Sequence, residues 1–299
     1  MIRYSKGEKL FHLFNILLMA ILTLLFLYPF WYVIISSISD PDMMRIHRGI
    51  LLLPQGFTLR GYQMVFRNPN IYTGYGNTLI YVTFGTIISM LLTTSGAYVL
   101  SRPGLMLKKP LMVLVTITMF FSGGMVPSYM LVNNLHMIDT RWALLLPGAI
   151  STYNLIVMRT SFQEIPLELE ESARLDGAND FRILWSIVLP ISKAMLAVIA
   201  LFYAVGIWNA WFNASIYLRS PKYFPLQLIL RDILLKANTS VNIQNLSEES
   251  LRAIDQGDAY FKELVQYSTI LVSTLPILCI YPFVQKYFVK GVMIGSLKG

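Results

Sequence analysis

The sequence predicts an all-α integral membrane protein with six transmembrane helices. Of the 299 residues, 55% are hydrophobic and only 13% are charged, and the mean hydropathy is +0.57. A soluble domain of this size carries about a quarter charged residues. The apolar residues also form long continuous runs, which favours helical spans over the alternating strands of a membrane barrel.

The 24 basic and 16 acidic residues all lie outside six apolar segments. A helix needs about 20 residues to cross a hydrocarbon core of about 30 Å. The fourth and fifth segments are shorter than this and must extend into flanking residues. The first is too long for the apolar part of a signal peptide and lacks a small-residue cleavage site, so we interpret it as a retained span. The segments are Phe11–Ile35, Thr78–Leu100, Leu111–Met130, Trp142–Met158, Ala194–Trp208 and Ser268–Val284.

Basic residues in the short connections predict the orientation of these spans. With six spans, the basic tails and the basic loop after the second span fall on one side, which the positive-inside rule makes cytoplasmic. We therefore expect a multi-pass protein of the cell (cytoplasmic) membrane with cytoplasmic tails at 1–10 and 285–299 around a six-span transmembrane domain at 11–284. The connection 209–267 then lies outside, with a weakly predicted short helix beginning at Ser247. The basic residues are Arg3, Lys6, Lys9, Arg102, Lys108, Lys109, Lys286, Lys290 and Lys298.

Several classes of function lack the residues that they need. The net charge of +8 is not concentrated on a soluble face, which argues against nucleic-acid binding, and the lone Cys279 excludes an intramolecular disulfide. The chain has no G-x-x-x-x-G-K-[ST] run for ATP, no G-x-S-x-G elbow and no Cys/His cluster for a metal. We therefore expect neither catalytic residues nor a cofactor in this chain. Because the spans hold no charged residue, a carrier driven by an ion gradient is disfavoured.

The loop 165–190 is the most informative stretch. Pro166 suits the beginning of a helix, and the acidic residues that follow suit its positively polarised first turns. Asp176-Gly177 predicts a turn that ends this helix, and Asn179 or Asp180 can cap a second helix, which meets the next span at Pro190. From the residues alone, an ordinary amphipathic connector at the membrane interface is an alternative interpretation.

A fixed spacing in this loop matches a known signature of Glu, two small residues, three variable, Gly, nine variable, Ile, one variable and Leu-Pro. The loop thereby resembles the EAA loop of bacterial ABC importer permeases, although Ser172 stands where Ala is usual. Asp176-Gly177-Ala178 is similar to the sugar-importer branch, and the C-terminus is similar to the tail of maltose-type permeases. The matching residues are Glu171, Ser172, Ala173, Gly177, Ile187, Leu189 and Pro190 in the loop and Gln285, Gly291, Gly295, Lys298 and Gly299 in the tail.

The resemblance implies an ABC type I importer permease fold with a cytoplasmic coupling helix. The loop would sit in a cleft of an ATPase subunit, where Glu171 meets a basic residue and Gly177 permits close backbone approach. The tail would contact the ATPase as well. The implied partners are a second permease subunit, an ATPase dimer that binds ATP and Mg, membrane lipid, an oligosaccharide substrate, and an extracellular sugar-binding lipoprotein or periplasmic binding protein. The alternatives are an ABC permease for another solute, a gradient-driven carrier and a membrane scaffold.

Candidates for contact with substrate lie near the outer end of the fifth span. Asn209 and Asn213 are four residues apart and would share a helix face beside two tryptophans, although tryptophans at this depth also form interfacial belts. Overall similarity points to permeases for larger oligosaccharides, including uronate-containing ones. A surplus of arginine in 40–77 favours acidic glycans or an acidic binding protein, or is a solvated surface. The candidates are Trp208, Asn209, Trp211, Asn213, Tyr153 and Asn154, with Asn77 and Tyr81 as weaker ones.

Overall fold

The computed structural model describes residues 6–238 and 262–279, and every regular element in these ranges is helical, which confirms the all-α class. The first helices are α1 (Lys6–Ser37), α2 (Pro41–Ile46), α3 (Arg60–Arg67), α4 (Pro69–Ser101), α5 (Lys108–Phe120), α6 (Met125–Asn134) and α7 (Trp142–Leu145). The others are α8 (Thr152–Gln163), α9 (Leu167–Leu175), α10 (Asp180–Ile183), α11 (Leu189–Ile191), α12 (Lys193–Trp208), α13 (Trp211–Tyr217), α14 (Leu226–Asn238) and α15 (262–279).

Two of the described helices, α1 and α4, are each long and apolar enough to cross a membrane. Two bent pairs also qualify if each pair counts as one span. The pair α5 and α6 bends by 113°, and the segment 180–191 bends by 88° against α12. The described residues therefore contain two to four candidate spans by length and composition, and the count of six stays a prediction.

The third and fourth predicted segments are not continuous helices. The third breaks after Phe120, where Phe121 is extended, and α6 then follows Gly124, whose φ of +85° favours glycine. The fourth divides into α7 and α8, with Pro147 and Gly148 in the break between them. At 12 residues α8 is about 18 Å long, shorter than a hydrocarbon core.

Other boundaries also differ from the sequence-based expectation. Among the described residues, helix α1 already includes Lys6, so the segment predicted from Phe11 lies within a longer helix, and Ser268 lies within a helix described over 262–279. The connection 209–267 contains α13 and α14, which hydropathy alone did not predict. The short helix expected from Ser247 lies outside the described residues, and so do the tail residues Gln285, Gly291, Gly295, Lys298 and Gly299.

The chain divides into two compact units, the first comprising the described parts of 1–69 and 232–275. In this unit the apolar length of α1 is exposed, whereas its last turn is buried. The Oγ of Ser268 on α15 donates to the Ser37 carbonyl over 3.4 Å, and the rings of Tyr32 and Tyr267 meet edge-on at 5.8 Å. A Cβ at Gly61 would collide with Ser268, so glycine permits the close approach of α3 to α15.

The second unit contains 70–231 and has its core around four elements. Helices α4, α8 and α12 pack together with the segment 180–191. At the centre, the Tyr203 hydroxyl lies 2.6 Å from the hydroxyl of Thr93 and accepts the backbone N–H of Ser151 over 3.0 Å. The buried core residues are Ala97, Tyr98, Leu100, Leu155, Met158, Phe162, Ile165, Ile183, Leu184, Val188, Ile199 and Tyr203.

Candidate functional site

The loop 165–190 forms two short helices joined by a tight turn. Helix α9 ends at Leu175, and Gly177 follows with φ +80°. The Gly177 N–H donates to the Arg174 carbonyl over 3.0 Å, and the Ala178 N–H donates to the Ala173 carbonyl over 2.9 Å. These two bonds form a Schellman motif, which requires a left-handed residue at the position of Gly177. The predicted end of the first helix is confirmed.

The second helix begins where the sequence predicted. The Asn179 side chain caps α10 by accepting the Arg182 N–H over 2.9 Å. The backbone then widens into a π-helix at Leu184–Val188 before α11, and the chain bends by 88° into α12. Pro190 lies within α11 at this junction and supplies no N–H, which disfavours a regular α-helix here. The segment therefore carries two irregularities between the turn and the long helix.

The matching residues of the loop divide into an exposed and a half-buried set. Glu171 is exposed, together with Ser172, Asp176, Gly177 and Pro190. The half-buried residues Ala173 and Ala178 pack against the core of the second unit, and Ile187 is also half-buried. The exposed apolar residues around Glu171 include Leu169 and Leu175, the latter 90% exposed.

A buried ion pair anchors α9, and sequence reasoning missed it. Glu170 is 3% exposed and receives a hydrogen bond from Arg102, which follows the end of α4. Arg102 also donates to the Phe162 carbonyl over 2.8 Å and to the Ser101 hydroxyl over 3.0 Å. Its guanidinium carbon lies 5.0 Å from the centre of the Tyr98 ring. Removing one partner from such a buried pair costs about 3–5 kcal/mol.

No signal in the sequence identifies this pair. Glu170 and Ala173 share a helix face by their spacing of three residues, but that spacing indicates neither burial of Glu170 nor its partner. The sequence predicts for Arg102 only a contribution to the orientation in the membrane. A second pair, between Arg174 and Asp180, joins the two helices across the turn, but its side chains are 51% and 65% exposed. Exposed pairs of this kind contribute about 0–1 kcal/mol.

The substrate-path candidates do not form one helical face. Helix α12 ends at Trp208, and α13 begins at Trp211. Between them Ala210 adopts φ −78° and ψ 57°, and the Trp211 N–H donates to the Asn209 carbonyl over 2.8 Å. This is an inverse γ-turn, so the expectation that Asn209 and Asn213 share a helix face is wrong. The Asn209 amide donates to its own helix, at the Val205 carbonyl over 3.1 Å, which helps to end α12.

The remaining candidates differ in exposure. Trp208 is 5% exposed, and its Nε1 has no hydrogen-bond partner among the described residues. Trp211 lies 4.9 Å below the guanidinium of Arg231. Asn213 and Tyr153 are exposed, whereas Asn154 is buried at the start of α8. Among these candidates, Trp208 and Asn154 are therefore buried, whereas Trp211, Asn213 and Tyr153 are exposed.

Two weaker candidates fix the loop before α14 instead. The Asn77 amide donates to the Lys222 carbonyl over 2.8 Å and the Phe224 carbonyl over 3.1 Å. The Tyr81 hydroxyl donates to the Tyr223 carbonyl over 2.8 Å. Both side chains thus hold backbone carbonyls of one loop, and their contacts are structural.

Asp139 holds the other side of that loop. Its carboxylate accepts the hydroxyl of Ser220 and the backbone N–H groups of Ser220 (2.8 Å) and Arg219 (2.9 Å). These bonds, the Ser220 hydroxyl foremost, lower the pKa of Asp139 from its ordinary value of 3.8. Lys222 also lowers the pKa of Asp139 electrostatically, and Arg141 and Lys222 contact other residues of the same region. Arg141 donates to the Asn77 Oδ1 over 3.2 Å, and the Lys222 ammonium lies 4.7 Å from the Tyr223 ring.

The chain is similar to known proteins in both sequence and structure. The chain is 37% identical over 295 residues to Protein LplC of Bacillus subtilis (strain 168), covering 99% of this chain and 97% of that protein. It is 38% identical over 271 residues to the polygalacturonan/rhamnogalacturonan transport system permease protein YtcP of the same organism, covering 91% and 92%. A crystal structure of a bacterial ABC transporter involved in the import of the acidic polysaccharide alginate contains a chain with a TM-score of 0.87 and 34% identity. That match covers 96% of this chain and 100% of the other.

The family model of the binding-protein-dependent transport system inner membrane component matches residues 85–294. This range includes the whole loop 165–190 and most of the second unit. The members of this family are transport permease subunits rather than enzymes, and the resemblance of the chain to ABC importer permeases is confirmed. This chain therefore belongs to the family of binding-protein-dependent transport system inner membrane components, with the fold of an ABC importer permease.

Proposed function

We propose that this permease imports acidic oligosaccharides, forming the translocation path with a second permease subunit, and that α9 is its coupling helix. An external binding protein delivers the substrate. An ATPase dimer, which binds ATP and Mg, docks on the cytoplasmic side and drives the path between inward- and outward-facing states. The topology that goes with this function has six spans, with both termini in the cytoplasm.

The single observation that carries the coupling role is the exposure of Glu171 on a helix that is fixed from behind. Its neighbour Glu170 is buried, so α9 cannot turn without breaking the contact to Arg102. Glu171 is exposed among apolar side chains, two of which are Leu169 and Leu175. A carboxylate beside exposed apolar surface on a rigid element fits a docking surface for a protein with a basic residue in an apolar cleft.

The relatives support the substrate class. One relative is named for the transport of polygalacturonan and rhamnogalacturonan, and the structural neighbour belongs to a transporter involved in the import of alginate, so both are associated with acidic polysaccharides. The charge of this chain agrees with an acidic substrate. Its formal net charge is +8, and Asp139 is outnumbered by the nearby residues Arg141, Arg219 and Lys222. A cationic surface raises the local concentration of an anionic ligand or of an acidic binding protein.

The coupling role is tested by co-purifying the chain with its ATPase, comparing the native protein with Glu171→Ala and Glu164→Ala. Glu164 is an exposed carboxylate just before α9 and is the matched control. We expect Glu171→Ala to lose the ATPase or uncouple its hydrolysis from transport, and Glu164→Ala to behave as the native protein. Equal behaviour of all three proteins would reject the coupling role of α9.

The substrate class is tested in proteoliposomes that contain both permeases, the ATPase and the binding protein. Uptake of a labelled oligogalacturonate is compared with uptake of a neutral maltooligosaccharide of the same length. We expect ATP-dependent uptake of the acidic oligosaccharide only. Equal uptake of the neutral sugar would reject the acidic class, and uptake without any ATPase would point to a gradient-driven carrier instead.

A further inference from the structure

Three helices of the second unit converge on one side chain. Arg102 follows the end of α4, and its two terminal nitrogens reach different helices. One donates to Glu170 on α9, and the other donates to the carbonyl of Phe162 near the end of α8 over 2.8 Å. The third nitrogen, Nε, donates to Ser101 over 3.0 Å. The side chains of Arg102 and Glu170 are only 11% and 4% exposed.

Arg102 is itself held in place by its neighbours. The ring of Tyr98 lies 5.0 Å from its guanidinium carbon, and Lys108 donates to the carbonyls of Ser101 and Arg102 over 3.2 and 3.1 Å. A planar guanidinium that makes three hydrogen bonds fixes the orientation of the groups it bonds, in addition to pairing with a charge. The contact therefore holds α9 to the end of α4 in one geometry.

The covalent route from α9 to its next long helix is less direct. It passes through the left-handed turn at Gly177, the π-helix at Leu184–Val188 and the 88° bend before α12. We expect each of these irregularities to absorb part of a displacement of α9 before it reaches α12. Glu170 and Arg102 are 68 residues apart in sequence, so their pair is a separate, non-covalent link from α9 to α4.

We propose that Arg102 is a positioning residue that passes the displacement of α9 to α4 during transport. This proposal rests on the proposed coupling role of α9. When the ATPase moves α9, the Arg102–Glu170 pair makes α4, one of the two long span candidates, follow. A buried ion pair is replaceable by apolar residues without loss of stability, so stability alone does not require a charged pair here. An apolar pair would lack the directional hydrogen bond that joins Arg102 to Glu170.

The decisive variant is the double substitution Arg102→Met with Glu170→Leu, because it keeps the site filled and removes only the directional bonds. The reconstituted complex with ATPase and binding protein is used, and substrate imported per ATP hydrolysed is measured. We expect the double variant to retain the ATPase and its thermal stability, while import per ATP falls by at least about fivefold, the lower end of typical coupling between sites. Arg102→Lys keeps the charge but lacks the planar guanidinium. Its import per ATP should therefore fall between the values of the native protein and the double variant.

Arg159→Met is the matched control. Arg159 on α8 donates to the Leu100 carbonyl over 3.0 Å, so it also bonds the end of α4, and none of its described bonds reaches α9. Its import per ATP should stay at the native value. Native coupling in the double variant, or a loss of coupling in Arg159→Met as large as in Arg102→Lys, would overturn the proposal. If the double variant does not fold, native coupling in Arg102→Lys overturns it as well. If the native chain binds no ATPase at all, the proposed function itself fails instead.

Discussion

Two glycines with similar positive φ values allow the cost of backbone strain to be measured separately from the loss of contact with a partner. Gly177 in the turn after α9 has φ +80°, and Gly104 in the connection between α4 and α5 has φ +88°. At both positions an added Cβ would meet no atom of the surrounding described residues within 4 Å. The two connections also fall on the same predicted side of the membrane. Gly104→Ala is therefore a matched control for Gly177→Ala.

The structure sets the expected cost. An L-residue in the left-handed region loses about 1–2 kcal/mol relative to glycine, and no steric term adds to this because the space is open. Both alanine variants should therefore lower the free energy of unfolding of the isolated permease by the same amount. Gly177→Asn should cost less, since asparagine tolerates this conformation.

ATPase binding should distinguish the two sites. If the turn at Gly177 lies against the ATPase, an added side chain overfills that contact at about 1–3 kcal/mol, which is roughly a fivefold to hundredfold loss of affinity. Gly104→Ala should bind as the native protein does. The assays are thermal unfolding in detergent and titration of the ATPase onto the permease in nanodiscs.

The comparison has two outcomes that would refute this reasoning. Equal ATPase affinity for Gly177→Ala and Gly104→Ala would show that the turn is not in close contact with the ATPase. Full recovery of affinity in Gly177→Asn would show that glycine serves only the conformation of the turn. Either result would mean that glycine is not needed at position 177 for close approach of the ATPase, although the Schellman motif would be unaffected.

Four further substitutions test packing and charge, and thermal unfolding followed by tryptophan fluorescence measures each. Gly74→Ala sets a methyl group against the facing helix α14 and should cost about 1–2 kcal/mol, whereas Gly76→Ala meets no atom within 4 Å and should be neutral or stabilising. Tyr203→Phe leaves the buried Thr93 hydroxyl and a backbone N–H without their shared partner, at about 1–3 kcal/mol. Asp139 has a lowered pKa in the folded state, so its stabilisation is present above its ordinary value of 3.8 and is lost as the pH falls through the folded-state value. Asp139→Asn should therefore melt below the native protein at neutral pH and converge with it in acid.

Each of these expectations has a contrary result. Equal melting of Gly74→Ala and Gly76→Ala would contradict the close contact between α4 and α14. An unchanged melting temperature for Tyr203→Phe would mean that its hydroxyl contributes nothing net. A constant difference between Asp139→Asn and the native protein from neutral to acid pH would contradict the lowered pKa.

Local features of the candidate site were predictable because neighbouring residues create them. The turn at Asp176-Gly177 and the cap at Asn179 depend on bonds that span at most five residues, so the residue types alone indicate them. The EAA spacing identified the family for the same reason, since it records positions along one short stretch. The all-α class followed from composition and the length of the apolar runs.

The breaks in the helices were harder to predict. Hydropathy averages over a window and ignores backbone conformation, so the left-handed Gly124 and the turn at Ala210 left no trace in it. The same averaging merged α7 and α8 into one segment. The glycine and proline residues at two of these breaks were visible in the sequence, but apolar residues on both sides outweighed them.

The sequence by itself determined the class of the protein, its family and the two short helices of the loop 165–190, because these depend on composition and short-range spacing. Only the tertiary structure decided which of two adjacent carboxylates is buried. Glu170 and Glu171 are chemically identical, and their difference arises from Arg102, which lies 68 residues before Glu170. A pairing over that distance depends on how α4, α8 and α9 pack, and no local pattern contains that information.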